Sequence, residues 1–117
     1  MYEYFQTLQK LLDESRIVID RPKGSVHPKF PDYIYPLDYG YLEGTMSQDG
    51  GGIDVWVGSN DPSQISGIIV IVDPIKKDSE IKILLGCNEA EGQLALESNN
   101  RGEMKAFIIK KELRHEI

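Results

Sequence analysis

Histidine, cysteine and positive charge are all scarce in this chain of 117 residues. The one cysteine, Cys87, cannot close an intramolecular disulfide, so no disulfide framework exists and a reducing, cytoplasmic location is expected. The two histidines, His27 and His115, lie too far apart along the chain for metal-ligand spacing. Lys and Arg number 13 against 19 Asp and Glu, which leaves a net charge of −6 and a pI near 4.8. A nucleic-acid binder usually presents a basic footprint, so that partner class is disfavoured. An acidic chain still binds an anionic substrate where local cations or metal ions reverse the field. No apolar run reaches the roughly 18 residues of a membrane span, and no basic segment precedes an apolar one at the N-terminus. Neither a membrane partner nor a signal peptide is expected. A phosphate-binding P-loop and a G-x-S-x-G elbow are both missing. Apolar residues at 40% and charged residues at 27% fit a soluble globular protein, and the length suits one domain over 1–117.

Periodicity supplies the elements. Tyr4, Phe5, Leu8, Leu11 and Leu12 recur at helical spacing and predict an amphipathic N-terminal helix. Residues 16–20 are short and β-branched and predict a strand that stops at Pro22. Residues 22–40 read as a long connection, because Pro22, Pro28, Pro31 and Pro36 argue against helix and interior strand. Phe30, Tyr33, Tyr35, Tyr39 and, just beyond, Tyr41 make it an aromatic loop, rigid and packed rather than a floppy linker. Strands are predicted over 41–45, 53–58, 67–73, 80–85 and 104–109. Ile53, Val55 and Val57 share one face of theirs, opposite Asp54 and Trp56. The 67–73 run is apolar on both faces, as in a central strand. Glu80, Lys82 and Leu84 share a face. Asn88 followed by Glu91 resembles a capping box and starts a second helix near the C-terminus. Five or six short strands with spaced turns suggest a mainly β, α+β fold, curled or closed into a small barrel.

Three segments are candidates for chemistry, each with an ordinary alternative. Asp49-Gly50-Gly51-Gly52-Ile53-Asp54 places two carboxylates around a run without side chains, which suits a hard cation. Taken alone, its ordinary reading is a hairpin turn with Asp at its start. Tyr35-Pro36-Leu37-Asp38-Tyr39-Gly40-Tyr41 offers phenols to a phosphoryl oxygen or a metal-bound water, or simply core rings. Lys76-Lys77-Asp78-Ser79-Glu80-Ile81-Lys82 reads as a solvated charged edge; the alternative is that Lys82, in mid-strand on the face of Glu80, points into a cavity that holds a metal and an anion. Cys87 at a strand end reads as a small buried apolar residue rather than a nucleophile.

Taken in order, Ile17-Val18-Ile19-Asp20-Arg21-Pro22, the Tyr35–Tyr41 segment, Thr45 and Asp49–Val55 resemble the family I soluble inorganic pyrophosphatases. That family has an acidic residue on the strand before a proline, then Tyr-Pro-x-Asn-Tyr-Gly-Tyr/Phe, then Asp-x-Asp-Pro-x-Asp before an apolar strand. The resemblance implies a five-stranded barrel of oligonucleotide-binding type. It also implies hydrolysis of pyrophosphate, or a related phosphoanhydride, by a water activated on Mg²⁺, with Mn²⁺ as the alternative metal. By position, Asp49 and Asp54 match outer carboxylates of the aspartate signature, Asp20 the strand glutamate and Glu80 a metal-ligating aspartate. Tyr39 matches the motif tyrosine, which with Asp49 and Asp54 completes the catalytic set. Lys82, Lys29, Tyr35 and Tyr39 match the groups that hold phosphate. The partner implied is a small phosphate-containing substrate; a homo-oligomer is compatible with the sequence. Gly51 stands where the family has its middle aspartate, and the family's phosphate-binding arginine has no counterpart. These departures support the other reading, a catalytically degenerate module of the same descent that binds phosphate or nucleotide or serves in assembly.

Overall fold

A computed structural model describes residues 1–47 and 50–111 of the chain. Helix α1 (Tyr2–Asp13) precedes β1 (Arg16–Arg21), β2 (Asp38–Glu43), β3 (Ile53–Val57), β4 (Ile65–Asp73) and β5 (Asp78–Leu85). Helix α2 (Glu89–Asn99) then leads into β6 (Lys105–Lys110). The strands form one six-stranded sheet in the order β1-β2-β3-β5-β4-β6. Every ladder is antiparallel except β3–β5, where Val55, Trp56 and Val57 run parallel to Ile83, Leu84 and Leu85. The α+β class is as expected, and the described residues form six strands, the upper of the five or six read from the sequence, whereas the resemblance implies five. β4 is apolar on both faces and takes a neighbour on each edge, β5 on one side and β6 on the other. Among the described residues no ladder joins the edge strands β1 and β6, so the expected barrel closure is not seen.

Strand alternation divides the interior into two layers. On one face, Phe5, Leu8 and Leu12 of α1 pack on Leu42, Val55, Ile83 and Leu85. Each such side chain taken from water contributes about 1.5–3 kcal/mol. Tyr4 and Leu11 stay exposed, so the buried stripe of α1 is narrower than the sequence suggests. On the other face, Trp56, Leu84, Ile69 and Ile71 lie beneath Ala95 of α2 and beneath Tyr35 and Leu37 of the long connection. The capping box of α2 forms as read: the Asn88 side chain accepts from the Glu91 backbone N–H, and the Glu91 carboxylate accepts from that of Asn88. Glu91 also accepts from the Ser59 backbone N–H, which fastens the first turn of α2 to the loop after β3.

The long connection ends at 37 rather than 40, and β2 starts at Asp38 instead of Tyr41. Gly40 is why the composition rule fails here. A Cβ on it would lie 1.8 Å from the Val18 carbonyl oxygen, so glycine is what lets β1 and β2 pair. The remaining connection doubles back on itself. The Gly24 N–H donates to the Tyr35 carbonyl, Tyr35 N–H to Ser25 and His27 N–H to Tyr33, and Val26 bridges Ile34. This lobe presents its tyrosines to the second layer.

Candidate functional site

Tyr39 of β2, Asp54 of β3 and Glu80 and Lys82 of β5 come together on the sheet face that carries α2. The Tyr39 hydroxyl donates to Asp54 Oδ2 at 2.8 Å, and Lys82 Nζ donates to the Tyr39 hydroxyl. Nζ also lies 3.4 Å from Asp54 Oδ2, 3.9 Å from Glu80 Oε1 and 4.8 Å from the centroid of the Tyr39 ring. An ammonium only donates, so the phenolic proton is directed to Asp54. The Lys82 side chain is 13% exposed, against 28% for Asp54 and 30% for Glu80. Charges so placed are screened less than surface pairs. Burial, reinforced by the Asp54 carboxylate and further by Glu80 and Tyr35, raises the Tyr39 hydroxyl far above the ordinary phenol range. Tyr39 is therefore a neutral donor and not a base.

This cluster opens on a groove of about 360 Å³. One wall is aromatic, formed by Phe30, His27, Tyr33, Tyr35, Tyr39 and Trp56. Three cations border it: Lys82 from β5, Lys76 from the β4–β5 turn and Arg101 from the turn after α2. The Arg101 guanidinium carbon stands 4.3 Å from the Tyr33 ring centroid. Neither Lys76 nor Arg101 forms an ion pair among the described residues, whereas Lys82 has two. Two carboxylates also border the groove. Glu80 lies beside Lys82, and Asp73 accepts the backbone N–H groups of Ile75 and Lys76. Burial and the charges of Arg21, Arg101 and Lys29 hold the His27 imidazole below its usual pKa. The indole Nε1 of Trp56 is buried without a hydrogen-bond partner among the described residues.

Of the residues singled out in the sequence, Tyr35, Tyr39, Glu80 and Lys82 border this groove, and Asp54 is bonded to Tyr39 and Lys82 without lining it. Asp49 lies outside the described residues. Asp20 is exposed at the β1 bulge between Ile19 and Arg21, and no ion pair ties it to the cluster. Lys29 is exposed and is not among the residues bordering the groove. The metal implied by the resemblance can be tested on the donor set. Among the described residues no three His, Cys, Asp or Glu side chains converge to hold an ion. The Lys82 ammonium reaches both Asp54 and Glu80, and a second cation there would meet its charge. With Lys82 between Asp54 and Glu80, the described residues do not by themselves complete a Mg²⁺ centre.

Sequence reading did not place Lys76, Arg101, His27 or Phe30 in one site. Lys76 belongs to the Lys76–Lys82 segment, which reads as a charged edge, and Arg101 is only a weak match to the late basic residue of the resemblance. The only signal was that each sits just after the end of a predicted element, where loops carry function.

Comparison with known proteins bears on the fold. No protein-family model matches the sequence, and no curated protein matches it significantly. Among solved structures, the inorganic pyrophosphatase of Helicobacter pylori superposes with a TM-score of 0.53 at 13% identity, over 82% of each chain. An inorganic pyrophosphatase from Neisseria gonorrhoeae gives 0.50 at 20% identity, over 76% of this chain and 77% of its own. A protein described as an inorganic phosphatase from Anaplasma phagocytophilum gives 0.50 at 16% identity, over 80% and 81%. The chain thus shares the inorganic pyrophosphatase fold at low sequence identity.

Proposed function

We propose that the groove binds a small phosphate-containing ligand, of which pyrophosphate is the simplest candidate. The observation that carries this reading is the convergence of Lys82, Lys76 and Arg101 on one concave surface, two of them without a carboxylate partner among the described residues. Arg101 offers a planar fork of donors to phosphate oxygens, and Lys76 a mobile point charge. Tyr39 and Lys82 form the floor, where the neutral phenol and the paired ammonium hold each other in place. The chain is net acidic, so attraction of an anion has to come from these local charges.

A second reading is hydrolysis of pyrophosphate with Mg²⁺ or Mn²⁺. It is favoured by the meeting of Asp54, Glu80, Tyr39 and Lys82, four residues that the resemblance to pyrophosphatases assigns to one centre. Asp49 would be its further carboxylate.

Calorimetric titration with pyrophosphate, once in a chelator and once in Mg²⁺, separates the two. The first reading expects binding in chelator that weakens about ten-fold or more in the Lys76→Met/Arg101→Met double variant, the scale of losing charge-assisted hydrogen bonds. Absence of binding in both buffers overturns it. Phosphate release that needs Mg²⁺ and vanishes in Asp54→Asn establishes the second.

A further inference from the structure

The aromatic wall asks for more than a phosphate. Its rings form an unbroken series from solvent to core. Phe30 is 57% exposed, and its centroid lies 4.9 Å from that of His27. His27 is stacked on Tyr35 at 6.1 Å with an interplanar angle of 9°. Tyr35 leads to Tyr39 at 5.5 Å, and Tyr39 to the buried Trp56 at 4.6 Å. The cationic groups stand along this series, Lys82 over Tyr39 and Arg101 over Tyr33. A diphosphate could engage the cations but would leave the Phe30–His27 end in water. The groove volume of about 360 Å³ lies in the range of sites for whole small molecules, about 300–1,000 Å³.

We infer that the ligand is a nucleoside di- or triphosphate, with its base on the Phe30–His27 end and its phosphates among Arg101, Lys76 and Lys82. This rests on the phosphate reading of the same groove and adds the ring. Every nucleobase has a π face, so stacking on Phe30 and His27 tolerates any base, and its loss costs about ten-fold or more in affinity. A neutral His27 suits the role, because an uncharged imidazole stacks without repelling the neighbouring Arg101.

The test is calorimetric titration of the full chain with ADP and with pyrophosphate, both in chelator, for wild type and Phe30→Ala. Phe30 is exposed, so the variant should fold, and circular dichroism checks this. The inference expects ADP to bind at least about ten-fold tighter than pyrophosphate, and Phe30→Ala to cut ADP affinity about ten-fold while narrowing that gap. Equal affinity for the two ligands, or the same loss for both in the variant, overturns it. Pyrophosphate binding without ADP binding overturns the base site alone and leaves the phosphate reading standing. If neither ligand binds, both readings fall.

Discussion

Tyr39 and Lys82 stand 43 residues apart on the two strands that flank β3, and Lys82 donates to the Tyr39 hydroxyl across it. The contact exists because β3 pairs antiparallel with β2 on one edge and parallel with β5 on the other. Asp54, on β3 itself, accepts from both. A single acceptor oxygen thus ties three adjacent strands together on the face opposite α1.

That linkage makes a quantitative expectation. Tyr39→Phe keeps the ring against Trp56 but removes the donor to Asp54 and the acceptor for Lys82, at about 1–3 kcal/mol. Lys82→Met leaves Asp54 and Glu80 without their shared cation and should cost a similar amount. The double variant should lose less than the sum of the two by at least about 0.5 kcal/mol, as expected for groups in one network. Urea denaturation of the four proteins measures this; strictly additive losses would mean the bonds are independent.

Two glycines should respond in opposite directions to alanine. Gly40→Ala drives a methyl to within 1.8 Å of the Val18 carbonyl oxygen and has to push β1 from β2, at about 3 kcal/mol. Gly92→Ala places a methyl 3.7 Å from Ile108 Cδ1 and 4.0 Å from Leu84 Cδ1, ordinary packing distances. It also removes a helix-interior glycine and should stabilise by about 0.5–1 kcal/mol. Thermal melts decide both, and a stable Gly40→Ala would show that the edge strand repacks freely.

Cys87 gives a pH dependence. Burial, with the nearby Glu91 carboxylate, pushes its thiol up to about 11. A raised pKa means the folded chain holds this proton after the unfolded chain has lost it. The stability it provides is complete below the unfolded value near 9 and is lost as pH rises through 11. At pH 8 the folded protein should alkylate far more slowly than the same chain in denaturant. Equal rates in the two states would place the thiol in water.

Much of this protein could be read from the chain alone because it depends on neighbours in sequence. The alternation of Ile53, Val55 and Val57 against Asp54 and Trp56 fixed which side chains share a face, since strand geometry has a period of two. The Asn88–Glu91 box set the start of α2 through bonds spanning three residues. The order of Tyr39, Asp54, Glu80 and Lys82 made them candidates for one centre. What the chain alone could not decide is which strands pair and in what direction, because that follows from burial summed over the whole sheet. The parallel β3–β5 ladder put Lys82 beside Asp54, and β6 became a sixth strand because β4 has two edges to cover. From the chain alone Gly40 reads as loop, because its need, a backbone 1.8 Å from where its Cβ would be, belongs to β1 and not to its own neighbours. Lys76, Arg101 and Phe30 share one groove for the same reason: the turn after β4, the turn after α2 and the lobe before β2 meet only when folded against one another.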